Sequence, residues 1–131
     1  MILLDTCAII WDALEPHKLP PAVVDAIAEA DEKKRLLVSD ISWREIAMLV
    51  QKGRLQIGRP AADFMKLFLQ SRNVSVIPVS PEIAELSAGF GAALNADPAD
   101  RIIAATAIVH RAQIVTADKN LQSAPVVDTL W

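Results

Sequence analysis

Short apolar runs alternate with longer helix-patterned segments along the whole chain, and this alternation constrains the fold more than any other feature. Ile2-Leu3-Leu4 ends at Asp5, and Leu36-Leu37-Val38 ends at Ser39-Asp40. Val74-Ser75-Val76-Ile77 is a third run, Gln113-Ile114-Val115 a fourth, and Val126-Val127 a weaker fifth. Between them a helical pattern covers residues 21–34, 41–52, 60–72, 81–94 and 98–112. Four of these five segments begin at a proline, whose preset φ and missing N–H suit the first helical position. Short, continuously apolar strands separated by helices belong to a parallel sheet covered on both faces. The expected fold is therefore α/β, a three-layer α/β/α arrangement around a central, mostly parallel sheet. No fixed-period repeat, low-complexity tract or long linker divides the chain, so residues 1–131 are expected to form one domain.

A sheet buried on both faces needs apolar residues, and 53% of the 131 residues are hydrophobic against 22% charged. A domain of this length buries roughly two-thirds of the surface its unfolded chain exposes. The cleanest apolar run, Ile102–Val109 with Thr106 inside it, falls well short of the roughly 20 residues of a membrane span. Asp5 cuts the opening apolar stretch and no basic residue precedes it, so no signal peptide is expected. Cys7 is the one cysteine, which excludes an internal disulfide and a four-cysteine zinc site and suits a reducing cytoplasm. With 13 Lys and Arg against 16 Asp and Glu, the net charge is −3. Any nucleic acid must then be held by a local basic patch or through bound cations.

In a parallel sheet, strand C-termini and the N-termini of the following helices share one edge, where ligands bind. Asp5 ends the first strand, Glu45 lies in the first turn of the helix after the second, and Asp118 follows the fourth. The helix over 98–112 feeds the fourth strand from the opposite edge, so its start, with Asp97 and Asp100, also reaches the ligand edge. Each acid has a local reading as well. Ser42-Trp43-Arg44-Glu45 has the form of a capping box, Asp97-Pro98-Ala99-Asp100 that of a capped helix start, and Asp118 suits a turn. Asp5, directly after a buried strand, needs a partner. Two carboxylates about 4 Å apart repel by roughly 4 kcal/mol at an effective dielectric near 20, so the set calls for a proton, a basic partner or a cation. Oxygen donors with no histidine among them favour Mg²⁺ or Mn²⁺ over zinc. Such an ion promotes phosphodiester hydrolysis by acidifying water and stabilising the phosphoryl transition state.

Other chemistries fit less well. His17 and His110 lie away from the acid edge, and no histidine is placed to activate Cys7. Glycines 53, 58, 89 and 91 make no phosphate loop, and Gly89-Phe90-Gly91 falls inside the helical segment 81–94. An Asp-x-Asp phosphatase or a paired-acid receiver is disfavoured because Thr6 and Cys7 follow Asp5.

Leu3-Leu4-Asp5-Thr6, Ser39 to Glu45, Asp97-Pro98-Ala99-Asp100-Arg101 and Val115-Thr116-Ala117-Asp118 occur in that order. With these motifs the chain resembles the PIN-domain family over nearly its whole length, and more narrowly the VapC-type toxins of toxin–antitoxin pairs. The resemblance implies a Mg²⁺- or Mn²⁺-dependent endoribonuclease acting on RNA, usually a homodimer, neutralised by a small cognate antitoxin. It maps the catalytic acids onto Asp5, Glu45, Asp100 and Asp118, with Asp5, Asp100 and Asp118 as metal ligands. Thr6, Thr116 and Asp97 follow as secondary candidates, Asp97 with a capping role. Many relatives carry a histidine two residues before the Asp-Pro pair, where this chain has Asn95. A degenerate PIN-like domain that only binds RNA or a partner is the alternative, and the presence of all four acids weighs against it.

Arg44, Arg101 and Lys119 each neighbour a candidate acid. They are expected to contact phosphate or balance the acids, Arg101 through its planar fork. Lys52, Arg54 and Arg59 cluster after the helix over 41–52 and read equally well as a solvated surface. Trp11 and Trp43 read as core residues. With no Tyr, three Phe and three Trp, a broad base-stacking platform is not expected.

Overall fold

Leu3 and Leu4 are both fully buried, yet they join different cores, because successive strand residues point to opposite faces of a sheet. The computed structural model describes all 131 residues. It contains five strands: β1 (Ile2–Leu4), β2 (Leu36–Ser39), β3 (Val74–Ile77), β4 (Gln113–Val115) and β5 (Thr129–Leu130). They pair in the order β3-β2-β1-β4-β5, all parallel. Leu3 stands beside Leu37 and Ile114, and Leu4 beside Val38 and Val115. Seven helices complete the chain: α1 (Thr6–Leu14), α2 (Pro21–Glu32), α3 (Ile41–Gln51), α4 (Ala61–Ser71), α5 (Pro81–Ala88), α6 (Pro98–His110) and α7 (Lys119–Ser123).

The two faces of the sheet carry separate cores. Leu4, Val38 and Val115 pack with Ile9 of α1, Ile27 of α2, Ile46 of α3 and Phe64 and Phe68 of α4. On the other face Leu3, Leu37 and Ile114 meet Ile103 and Ala107 of α6. A smaller cluster of Leu94, Ala104, Leu121 and Ala124 supports α7. The three-layer α/β architecture expected from the alternating pattern is the one observed. The chain winds outward from β1 to β3 and then returns to place β4 on the other side of β1. That reversal makes the C-terminal ends of β1 and β4 the switch point, where α/β sheets open a crevice. Asp5 sits there, its N–H donating to the Val115 carbonyl at 3.0 Å.

Several local expectations are corrected. The fifth strand is Thr129–Leu130 rather than Val126-Val127: Val126 is exposed, whereas Leu130 packs on the α1 side of the sheet. The segment 81–94 is not one helix. It stops at Ala88, and Gly91, with φ of 57°, opens a 3₁₀ turn over Gly91–Ala93, since a left-handed residue cannot continue a right-handed helix. Gly89 and Phe90 therefore lie between elements, and Gly91 begins the turn. Pro60 precedes α4 as its cap instead of starting it, and His17 lies in a 3₁₀ turn over Pro16–Lys18. The pattern also left α1 unmarked, because Cys7 to Trp11 reads as a nearly unbroken apolar run.

Trp11 and Trp43 are partly buried against the larger core. Trp11 meets Trp131 with ring centroids 5.5 Å apart, beneath the Lys18 ammonium at 5.4 Å. Trp43 meets Phe68 edge-on at 6.5 Å. Arg72 ties three elements together: it pairs with Asp12 of α1 at 2.8 Å and with Asp31 of α2 at 3.0 Å, just before β3.

Candidate active site

Asp5 leaves β1 in an extended conformation and caps α1, one carboxylate oxygen accepting the Thr6 N–H at 2.7 Å. Its other oxygen accepts the Thr116 hydroxyl at 2.6 Å. The Thr116 oxygen in turn accepts the Asp118 N–H at 3.0 Å, so the turns after β1 and β4 are linked by one hydroxyl. Burial pushes the Asp5 carboxyl above the usual carboxylate range, against the pull of these hydrogen bonds, and the charges of Asp118 and Asp97 push the same way.

Glu45 is held differently from the sequence expectation. The α3 helix starts at Ile41, after Asp40, whose side chain makes no capping bond. Ser42 is thus inside the helix, and Ser42-Trp43-Arg44-Glu45 does not act as a capping box. The fully buried Ser42 hydroxyl instead shares a 3.0 Å hydrogen bond with the Thr6 hydroxyl, which also hydrogen-bonds the Glu45 carboxylate. Burial raises the Glu45 carboxyl, with smaller contributions from the Asp5 and Asp97 charges. Thr6 therefore joins the first two acids: its N–H holds Asp5 and its hydroxyl holds Glu45.

Asp97 caps α6 as expected, accepting the Ala99 and Asp100 N–H groups at 2.8 and 3.1 Å with Pro98 at the first helical position. Asp118 caps α7 through one oxygen that accepts from Asn120 and Leu121, so its place is a helix start as well as a turn. Asp100 accepts a 3.1 Å bond from the Asn95 side-chain amide. Burial nevertheless pushes its carboxyl up to about 7, helped by the charges of Asp97, Asp118 and Asp5.

Asp5, Glu45, Asp97, Asp100 and Asp118 line a single open depression of about 410 Å³, together with Thr6 and Cys7. None of these acids takes part in an ion pair; the four ion pairs of the molecule lie elsewhere. A neutral thiol completes the rim, because burial and the Asp5 charge raise Cys7 to about 11. Neither histidine lines the depression.

Oxygen donors crowded without a basic partner fit a hard divalent cation. No three of the side chains meet closely enough to cage an ion by themselves. Mg²⁺ does not need such a cage, since it keeps several waters and takes one or two carboxylates. Asp118 keeps one oxygen outside its capping bonds and Asp100 keeps one outside its bond to Asn95, whereas both Asp5 oxygens already accept hydrogen bonds from Thr6 and Thr116.

Of the two roles its position suggested, Arg101 does not balance an acid. Its guanidinium donates to the Asn95 carbonyl at 2.7 Å, to Gly91 at 2.6 Å and to Leu94 at 3.1 Å. The fork fastens the loop before α6, and pairs with no acid. Sequence reasoning also missed two positioning residues, Ser42 and Asn95. Asn95 was visible only as a departure from a motif, yet it donates to Asp100 and accepts the Asp97 N–H at 2.8 Å.

Comparison with known proteins bears on the family and the fold. Residues 2–127 match the model of the PIN domain family. Ribonuclease VapC22 of Mycobacterium tuberculosis is 35% identical over 132 residues, spanning 99% of this chain and 98% of that protein. Among solved structures, the DNA-bound VapBC of Salmonella typhimurium superposes with a TM-score of 0.73 at 16% identity, over 98% of this chain and 96% of that one. A toxin–antitoxin complex from Klebsiella pneumoniae gives 0.68 at 22% identity, over 100% and 97%.

Proposed function

The chain belongs to the PIN domain family, and from that premise we propose that it is a metal-dependent endoribonuclease, the toxin of a toxin–antitoxin pair. The observation that carries this reading is the shared depression in which Asp5, Glu45, Asp100 and Asp118 stand without a basic partner. The kinship with a ribonuclease over nearly the full length of both chains supports the chemistry. The neighbours solved as toxin–antitoxin complexes support a small antitoxin as the protein partner. A homodimer is the assembly that goes with this reading.

We assign the ion, Mg²⁺ or Mn²⁺, to Asp5, Asp100 and Asp118. When bound, it supplies charge neutralisation at the phosphoryl group and makes water more acidic. The protein's own share is orientation and proton handling. Thr116 and the Thr6 N–H hold both oxygens of Asp5 in place. Glu45, tethered by Thr6, is the acid outside the ligand set that receives the proton of the attacking water. Asn95 aims Asp100.

The test is cleavage of RNA by the purified chain in Mg²⁺ or Mn²⁺, with and without EDTA, alongside Asp5→Asn. Cleavage that stops in EDTA and is absent from the folded variant is the expected result. Cleavage that persists in EDTA, or at the native rate in Asp5→Asn, overturns the assignment.

A further inference from the structure

A second trough, of about 580 Å³, opens beside the acids and shares Glu45 and Asp97 with their depression. Its size lies within the roughly 300–1,000 Å³ of ligand clefts. Its far end is cationic. Arg44, Met48 and Lys52 recur every fourth residue and so lie along one face of α3. Arg54 joins them through the way the helix ends. Gly53 takes φ of 69°, its N–H bonds the Val50 carbonyl, and the Arg54 N–H bonds the Leu49 carbonyl. That left-handed cap turns the chain back over the last turn.

Arg44, Lys52 and Arg54 are all exposed and none is ion-paired. Arg72 and Arg101, by contrast, are engaged inside the fold. Lys52 and Arg54 also sit at a helix C-terminus, the negative end of the dipole, so an anion there is held by side chains and not by backbone. Between Arg44 and Lys52 on this face, Met48 is 37% exposed, an apolar, polarizable surface that suits the face of a base.

We propose that this trough holds the RNA strand next to the scissile bond. Arg44, Lys52 and Arg54 take backbone phosphates of flanking nucleotides, and Met48 lies under a base. The strand then runs from the acid cluster along α3 toward its C-terminus. The proposal rests on the nuclease reading and adds to it where the substrate lies. It separates the cations that sequence order grouped together, because Arg59 lines a different cavity, with Leu14 and Phe64.

The probe is a fluorescein-labelled, mixed-sequence single-stranded oligoribonucleotide, with binding followed by anisotropy in EDTA at several salt concentrations. The variant R44Q/K52Q/R54Q is compared with R59Q/K66Q/R111Q, which removes the same charge elsewhere. The trough variant is expected to bind at least tenfold more weakly. Its slope of log K against log salt should fall by about 2, three single-strand contacts at roughly 0.7 each. In Mn²⁺ its KM should rise while kcat and calorimetric Mn²⁺ binding stay native. Equal losses in both variants assign the effect to net charge and overturn the trough. Native affinity and KM in the trough variant, with wild-type cleavage intact, overturn the trough and leave the nuclease reading standing. A wild-type chain that takes up Mn²⁺ but neither binds nor cleaves RNA overturns both.

Discussion

Burial pushes the Asp100 carboxyl up to about 7 although Asn95 donates a hydrogen bond to it. Two predictions follow at this residue. Asp100→Asn keeps an oxygen to accept the Asn95 bond and removes a poorly solvated charge. With metal chelated, the variant is expected to melt no lower than the native chain while its RNA cleavage is lost; melting followed by circular dichroism and a cleavage assay check the pair. Asn95→Ala leaves every acid in place but removes the group that aims one of them. Groups that orient metal ligands typically cost 10–100-fold in affinity or activity when removed. Asn95→Ala is accordingly expected to lower Mn²⁺ affinity or turnover by about 10–100-fold, with calorimetry as the readout. A native Mn²⁺ isotherm and a native rate would leave Asn95 as a loop residue only.

At the scale of elements, the helix starts hold the site. Asp5, Asp97 and Asp118 each cap a helix while facing the depression, so one side chain serves both the local fold and the chemistry. The opposite end of the molecule has its own fastening in Arg72, which reaches Asp12 and Asp31 on two helices. The Asp12 side chain is only 7% exposed, so removing its partner strands a carboxylate. Hydrogen bonds to charged groups are worth roughly 1.5–3 kcal/mol each, and Arg72→Ala is expected to cost about 2–3 kcal/mol. Urea unfolding measures this directly. A loss of a few tenths would mean that Asp12 rehydrates freely.

The whole molecule should show a coupling between protons and metal. Asp5, Glu45 and Asp100 all have raised carboxyls in the fold, each through burial first. A raised folded-state value means the folded chain binds the proton more tightly than the unfolded one. The metal-free chain therefore gains stability as pH falls through about 7 toward the unfolded value of 3.8 for Asp100. Asp31 and Glu29 shift downward and act in the opposite sense only at and below the ordinary carboxylate range. Between pH 7 and 5 the melting temperature in EDTA should rise. A saturating divalent ion holds the carboxylates ionised, and in its presence the same titration should lower the melting temperature. Parallel melting curves in EDTA and Mn²⁺ across this window would argue against ion binding at the acids.

The layer architecture was legible from the chain because strands buried on both faces must be apolar without interruption, as in Ile2-Leu3-Leu4 and Leu36-Leu37-Val38. The gathering of Asp5, Asp100 and Asp118 was legible for a related reason: in a parallel sheet, position at a strand or helix end settles which edge a residue occupies. Strand order, by contrast, came only with the folded chain. So did the two-residue strand at Thr129–Leu130, whose pairing with Ile114 and Val115 depends on where β4 already lies. The same holds for the bond from Thr6 to Glu45 across 39 positions, and for Arg101, whose three carbonyl partners exist only once Gly91 has broken the helical segment. Periodicity and capping depend on near neighbours and leave a trace in the order of residues. A hydrogen bond between distant segments depends on how two surfaces meet, and the order of residues does not record that.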